Sequence, residues 1–320
     1  MTPLLPSVVE AIGATPLVEL ARITARLGLE GRLLAKLDHL NPGFSKKDRA
    51  ARRIVEDARA SGELAPGQPV VELTSGNMGT GLAIVCAVLG HPFVAVMSAG
   101  NSTERARMMR ALGAEVVLVP QSPGGCPGQV TGADLALVEA EARRQTEARA
   151  AFRADQFARP GNPDAHADTT APEIWLQSGG TVTAFVDFVG SGGTLGGAAR
   201  FLAPRGVRCW SVEPEGAAAL AGGDTSRPDH PIQGGGYGMP DLAHLRGAAL
   251  AGTLTVTGAD AADHARLLAR HEGVFAGYSA GANLAAAVRL LRGPEKGGTV
   301  AFVVGDSGLK YLSTDLWGPP

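Results

Sequence analysis

Apolar, β-branched runs recur along the chain at Val70–Leu73, Phe93–Met97, Val116–Val119, Val182–Val189, Val207–Val212 and Val300–Val304. Short runs that are apolar throughout, rather than alternating, are what strands covered on both faces require. Helix-length stretches separate many of them. This alternation predicts an α/β fold with mostly parallel, twisted sheet flanked by helices on both faces. Asn101-Ser102-Thr103-Glu104 reads as a helix start with a capping glutamate, and Gly113 after Leu112 as its stop. Gly132 to Ala154 forms one long helical pattern rich in Glu and Arg, which predicts a solvated face with i,i+4 pairs. Gln121–Gly132 and Gly222–Gly238 read as loops, and no internal repeat is visible. Length places a domain boundary near residue 150. The expectation is an N-terminal domain of residues 1–150 and a C-terminal domain of residues 151–320, with the first strands able to pack on the other domain.

Composition narrows the function classes. With 320 residues, 45% of them apolar, the chain can bury a substantial core. Its 29 basic and 31 acidic residues nearly cancel, giving no reason to expect nucleic acid or an anionic membrane as partner. No apolar run reaches membrane-spanning length, and the first residues lack the basic-then-apolar order of a signal peptide. Cys86, Cys126 and Cys209 are odd in number and widely spaced, which argues against a disulfide framework or a zinc cluster and for a reducing cytoplasm. Cys86, inside an apolar stretch, reads as core. The 44 glycines are about twice the usual ~7% share and are not periodic, so many tight turns and backbone-lined loops are expected.

Four clusters carry candidate chemistry. Asn41-Pro42-Gly43-Phe44-Ser45-Lys46-Lys47-Asp48-Arg49 is a turn leading into a helical stretch, with Ser45 as a candidate cap. A lysine at a helix start sits in a positive field. That field and partial burial both favour the neutral amine that Schiff-base chemistry needs. The plainer reading is an exposed basic first turn. Glu72-Leu73-Thr74-Ser75-Gly76-Asn77-Met78-Gly79-Thr80-Gly81 follows a strand and offers hydroxyls and bare amides to an anion such as a carboxylate; a polar turn would look the same. Gly190-Ser191-Gly192-Gly193-Thr194-Leu195-Gly196-Gly197 follows the strand Val182–Val189 and opens a helix, as a phosphate cradle does. A dinucleotide fingerprint competes, and Glu213 lies about the right ~20 residues further on. Its spacing fails, because Leu195 falls where the third glycine belongs, and no P-loop lysine follows. One phosphate monoester fits better than a pyrophosphate. Val303-Val304-Gly305-Asp306-Ser307-Gly308-Leu309-Lys310-Tyr311 ends another apolar strand, where ligands bind in open α/β sheets, although it could be a simple turn.

The order and spacing of these clusters resemble the fold-type II pyridoxal-phosphate (PLP) enzymes, and among them the cysteine synthase and cystathionine β-synthase family. Further matches are Ala14-Thr15-Pro16-Leu17-Val18, Gln156-Phe157, Gly161-Asn162-Pro163, His166, Thr169-Thr170, Pro172-Glu173-Ile174-Trp175, Val212-Glu213-Pro214, Ile232-Gln233-Gly234 and Ser279-Ala280-Gly281-Ala282. The resemblance runs from about Thr15 to Thr314. It implies a tryptophan synthase β-like architecture of two domains. It implies that Lys47 forms the cofactor's Schiff base, that Asn77 meets its phenolic oxygen, that Gly190, Ser191, Gly192, Gly193 and Thr194 hold its phosphate, and that Ser307 meets its pyridine nitrogen. Thr74, Ser75, Gly76 and Met78, with Gln156, are implied to hold the substrate carboxylate. A neutral hydroxyl at the ring nitrogen makes a mild electron sink, which suits β-elimination chemistry.

The implied reaction is β-replacement on an activated L-serine, O-acetylserine or O-phosphoserine, with sulfide or another small nucleophile, through an α-aminoacrylate. Net β-elimination, as in a cysteine desulfhydrase, and a cystathionine β-synthase-like condensation stand as alternatives. A catalytically idle PLP-fold ligand-binding protein is the alternative from another class, and the intact Lys47 argues against it. A nicotinamide dehydrogenase is disfavoured by the glycine spacing. A small amino-acid substrate, no metal, a cytoplasmic location and a homodimer complete the expectations, and the short tail after the last motif predicts no C-terminal regulatory domain. Four departures from the family pattern border the substrate: Phe44 where Gly is usual, Met78 after Asn77 where Thr is common, Tyr237 in the glycine loop, and the segment Gln121–Gly132.

Overall fold

The computed structural model describes residues 4–124, 130–226 and 230–318, so Cys126 and parts of both glycine-rich loops lie outside the described residues. Ten strands are present among the described residues: β1 (Leu17–Glu19), β2 (Arg32–Lys36), β3 (Val70–Leu73), β4 (Phe93–Ser98), β5 (Glu115–Val119), β6 (Phe152–Arg153), β7 (Ala184–Phe188), β8 (Arg208–Pro214), β9 (Leu250–Val256) and β10 (Thr299–Val303). The helices are α1 (Ala21–Arg26), α2 (Lys47–Ser61), α3 (Asn77–Leu89), α4 (Thr103–Ala111), α5 (Gly132–Ala148), α6 (Gly161–Ala165), α7 (Ala171–Gln177), α8 (Gly193–Leu202), α9 (Gly258–Glu272) and α10 (Tyr278–Arg292).

The strands form two sheets. A six-stranded sheet runs β1-β2-β10-β7-β8-β9 and a four-stranded one β5-β4-β3-β6. All pairings are parallel except that of β1 with β2. Two early strands, β1 and β2, thus lie in the sheet built mainly from the C-terminal half, and β6 joins the smaller sheet.

Period-two alternation distributes each strand over two cores. On β10, Val300 and Phe302 enter the core formed with α1, α9 and α10, whereas Ala301 and Val303 enter the core formed with α7 and α8. On β4, Phe93, Ala95 and Met97 pack with α2 and α3, while Val94 and Val96 pack with Val138 and Ala142 of α5. Each sheet therefore has helices on both faces, which is why β3, β4, β7 and β10 are buried at every position and read as largely apolar runs, with Glu72 and Asp187 the buried charges among them.

Several local expectations shift. The Gly132–Ala154 pattern is two elements: α5 stops at Ala148, Ala150 takes a positive φ of 47°, and Phe152 pairs with Val70 as an edge strand. No glycine or proline marks that break. Glu104 does not cap α4; it reaches across to the Ser313 hydroxyl at 2.5 Å. Ser102 instead binds the Lys310 carbonyl oxygen and Arg105. The real capping box belongs to α5, where Thr131 and Asp134 bond reciprocally.

The α9–α10 contact leaves no room for a side chain at Gly281, where a Cβ atom would lie 1.9 Å from the Ala261 carbonyl oxygen. Gly281→Ala is expected to destabilise the fold by about 1–3 kcal/mol. The readout is a lower denaturant midpoint at unchanged slope; an unchanged midpoint would show that the two helices part at no cost.

Candidate active site

The carboxyl ends of β3, β7 and β10 converge on one cleft, and the four sequence clusters are the segments that leave them or approach from β2. Lys47 opens α2. Its own N–H donates to Ser45 Oγ at 3.3 Å, so Ser45 assists the helix start from one residue before the N-cap position. Neighbouring positions on a helix point about 100° apart, and the two lysines diverge accordingly. Lys47 Nζ donates to Ser191 Oγ at 3.1 Å, whereas Lys46 Nζ lies 2.7 Å from both carboxylate oxygens of Asp187. Burial, and then the charge of Lys46, lower the Lys47 pKa to about 8, against the opposing pull of Asp187 and Glu72. At that value about one amine in ten is neutral at pH 7.

The Thr74–Met78 turn forms one wall. Thr74 Oγ1 accepts the Gly76 and Gly79 N–H groups at 2.9 Å each, so this hydroxyl shapes the turn from within. Gly76 precedes α3 at φ +124°, and a Cβ there would strike the Arg105 side chain at 2.6 Å. Ser75 Oγ shares a 2.7 Å hydrogen bond with Tyr237 OH. Asn77 Nδ2 donates to Asp306 at 2.7 Å, and Asn77 Oδ1 accepts from Lys310 Nζ at 2.8 Å. Gln156 donates to Glu72 and to the Leu73 carbonyl oxygen, and Glu72 is raised to about 7 by its burial. Thr74, Ser75, Asn77, Met78, Gln156 and Tyr237 share one chamber with Lys47; Gly76 supports it from behind.

The glycine loop forms the other wall. Gly190, Ser191, Gly192, Gly193 and Thr194 line a second chamber that also contains Lys47 and Asn77. Gly192 takes φ +83° at the start of α8. A Cβ on Gly193 would lie 2.2 Å from Asn162 Oδ1, and one on Gly190 would lie 2.5 Å from the Gly234 carbonyl oxygen. Gly190 and Gly193 are thus bare of side chain by steric necessity, with the amides of a helix start beside them. Asn162 Nδ2 holds Ser191 Oγ at 2.9 Å, and its Oδ1 is buried without a partner. His166 lies in a π-helical turn, between Thr170 and Thr194, with its pKa pushed well down by burial; both ring nitrogens are engaged.

Ser307 lies elsewhere. Its backbone N–H donates to the Phe44 carbonyl oxygen, and its hydroxyl accepts the Leu309 N–H at 3.3 Å, capping the turn Gly308–Tyr311. It lines neither chamber. A hydroxyl residue that does line one, outside the glycine loop, is Ser279, the second residue of α10, opposite Gly305. The sequence signal for it was the Ser279-Ala280-Gly281-Ala282 motif at a helix start, which resembles the family's but carries no chemistry on its own.

Residues 8–306 match the family described as pyridoxal-phosphate dependent enzyme. The chain belongs to that family. It is 39% identical over 319 residues to O-ureido-L-serine synthase of Streptomyces lavendulae, covering 98% of this chain and 93% of that protein. It is 38% identical over 312 residues to cysteine synthase 3 of Caenorhabditis elegans, covering 96% and 88%. The crystal structure of an O-acetylserine dependent cystathionine β-synthase from Helicobacter pylori superposes with a TM-score of 0.89 at 31% identity, covering 99% of this chain and 100% of that one. This PLP-dependent enzyme has the α/β architecture of the fold-type II members. Its cleft fits the cofactor: a depressed lysine, a glycine-rich anion cradle and the Ser279 hydroxyl all face one space. Among the described residues, no helix is long and apolar enough to cross a membrane, and no cluster could hold a metal ion.

The charge beside Lys47 generates a prediction. In the cofactor-free protein, acylation of Lys47 by an amine reagent should titrate with a midpoint near 8. Lys46→Met removes the cation that lowers this value, so the midpoint should move upward toward the ordinary lysine value of about 10.4; loss of the same cation raises the Asp187 carboxyl further, which limits the shift. A midpoint that stays near 8 would show that burial alone sets it.

Proposed function

We propose that this enzyme catalyses β-replacement on an O-acylated or O-phosphorylated L-serine, with sulfide or another small nucleophile. One observation carries the reading: the partly neutral amine of Lys47 stands between a phosphate cradle and a carboxylate-sized turn, in chambers that share it. Bound PLP supplies an electron sink for the substrate's α-carbon. The glycine loop, Gly190 to Thr194, holds its phosphate, Lys47 attaches it, and Asn77 faces its phenolic oxygen. Ser279, in place of Ser307, meets the ring nitrogen. The turn Thr74–Met78, backed by Arg105 and flanked by Gln156, receives the substrate carboxylate. Once displaced by the substrate amine, Lys47 is the base nearest the α-carbon, since His166 has both nitrogens engaged. It takes the α-proton, and the β-substituent leaves.

The two sheets support a two-lobed enzyme in which residues 1–150 and 151–320 exchange their border strands, and in which the Thr74–Met78 turn closes over substrate and excludes water. A cytoplasmic homodimer accompanies the reading, supported by the buried free thiols Cys86 and Cys209 and by exposed apolar side chains at Leu4 and Val8.

Mass spectrometry of products, with O-acetylserine, O-phosphoserine, serine and cysteine offered against sulfide, homocysteine and hydroxyurea, tests the reaction. Nucleophile adducts of an activated serine are expected. Pyruvate and ammonia without adduct would replace this reading with β-elimination. No turnover from a fully loaded protein would leave the ligand-binding alternative.

The serine assignment is tested separately. Ser279→Ala should shift the visible band of the bound cofactor and slow turnover about tenfold, the worth of one hydrogen bond of ~1.4 kcal/mol. Ser307→Ala should leave the band in place. The opposite pattern would return the ring nitrogen to Ser307.

A further inference from the structure

A buried cation and a buried anion meet on the side chain of Asn77. Lys310 is fully buried, and its ammonium donates to the Gly43 carbonyl oxygen and to Asn77 Oδ1, both at 2.8 Å. Asp306 is equally enclosed, and its Oδ2 accepts from Asn77 Nδ2 at 2.7 Å and from Tyr311 OH at 2.9 Å. Arg105 Nη2 stands 3.5 Å from the same oxygen.

The hydrogen-bond inventory of these groups leaves Asn77 one orientation. An ammonium has donors and no acceptor; a carboxylate has acceptors and no donor. A flipped amide would set its NH2 against Lys310 and its oxygen against Asp306, losing both bonds in a space where unpaired polar groups are costly. The amide has two hydrogens and two lone pairs. One of each is engaged inside the wall. What remains toward the chambers, which Asn77 borders on both sides, includes a single N–H. The charges at the two ends also polarise the amide in the same sense, oxygen toward the cation and nitrogen toward the anion, which strengthens that N–H as a donor.

We infer that Lys310 and Asp306 are positioning residues that clamp Asn77 as a one-way hydrogen-bond donor to the anionic oxygen of the bound cofactor. This rests on the assignment of Asn77 to the phenolic oxygen made above. Lys310 has a second reach: through Gly43 it fixes the turn that leads to Lys47. One ammonium therefore sets the relative placement of the group that attaches the cofactor and the group that orients its ring. Neither Lys310 nor Asp306 touches the cleft, so their effect passes through Asn77 and the Gly43 turn.

The test is a double-mutant comparison on the loaded protein, read from the position of the cofactor's visible band and from cofactor retention on dialysis. Asn77→Ala and Lys310→Met should shift the band in the same direction, and the double variant should fall short of the sum of the two single shifts, keeping beyond Asn77→Ala only the part of the Lys310 effect that passes through the Gly43 turn. Lys310→Arg keeps a cationic donor and should hold the parent band. If Lys310→Met fails to accumulate, Asp306→Asn makes the clamp ambiguous at its other end and should give the same shift. A moved band in Asn77→Ala beside an unmoved one in Lys310→Met overturns the clamp alone, as does an additive double variant. An unmoved band in Asn77→Ala overturns the phenolic-oxygen assignment, and the inference with it.

Discussion

The site depends on a short backbone seam that joins the segment before α2 to the end of β10. Lys46 N–H donates to the Gly305 carbonyl oxygen at 2.9 Å, Ser307 N–H donates to that of Phe44 at 3.1 Å, and Ser45 bridges Asp306. Because of this seam, a lysine that opens a helix packed on the smaller sheet stands over the carboxyl end of the larger one. The seam demands an unusual conformation: Phe44 takes φ +60°, at a cost of roughly 1–2 kcal/mol for a non-glycine residue. Arg49, two residues into α2, helps hold it. Its guanidinium reaches Asp38 at 2.9 Å and Glu173 at 2.7 Å, pinning the helix start to β2's exit and to α7. Burial works against that charge, and Asp38 and Glu173 more than offset it.

Around the seam the protein collects buried charge and assigns it unequal work. Lys36 is neutralised against Glu173, and Lys46 against Asp187. Lys47 has no carboxylate of its own, only the Ser191 hydroxyl, and its amine faces the cleft, which suits the Schiff-base role proposed for it. Lys310 is also lowered to about 8 by burial, and Asp48 beside the Gly43 turn is raised to about 7. These two face each other across that turn, one gripping the Gly43 carbonyl oxygen and the other its N–H. A dry, charged shell of this kind holds its dipoles fixed, so an anionic ligand finds them already oriented.

What was legible in the sequence follows what is local. Strands buried on both faces announce themselves, because nearly every position is apolar and the exceptions, such as Glu72 in β3 and Asp187 in β7, are paired; β3, β4, β7, β8 and β10 are of this kind or nearly so. β1 and β6 are three and two residues long and exist only through their partners. β2 carries Arg32 and Lys36, whose ammonium is satisfied by Gln177 and Thr15 from distant segments. β9 is an edge strand with one of its seven positions buried. The glycine loop and the Thr74–Met78 turn were readable because their backbone geometry dictates their residue types. Ser307 and Ser279 were not separable that way. Both are small hydroxyl residues beside glycine at the end of an apolar stretch, and only the long-range packing of α10 against β7 and β10 decides which one faces the cleft.

The departures from the family pattern can now be ranked by what they touch. Phe44 contributes its carbonyl oxygen to the seam while its ring is 41% exposed, so it acts on backbone placement and leaves the substrate chamber alone. Met78 is buried in the core under α3 and forms the chamber's apolar back wall. Tyr237 is different. It carries a phenol to the turn implied for the carboxylate, ties up the Ser75 hydroxyl and stacks its ring obliquely near Phe157, 6.5 Å between centroids. A substrate that needs Ser75 must compete with that phenol or displace it. In the proposed reaction the pairing of Tyr237 with Ser75, on the wall opposite the glycine loop, is the contact that a substrate carboxylate would meet. The glycine loop itself is closed in by Asn162 and Gly234, and its two hydroxyl side chains, Ser191 and Thr194, are held by Lys47, Asn162 and His166.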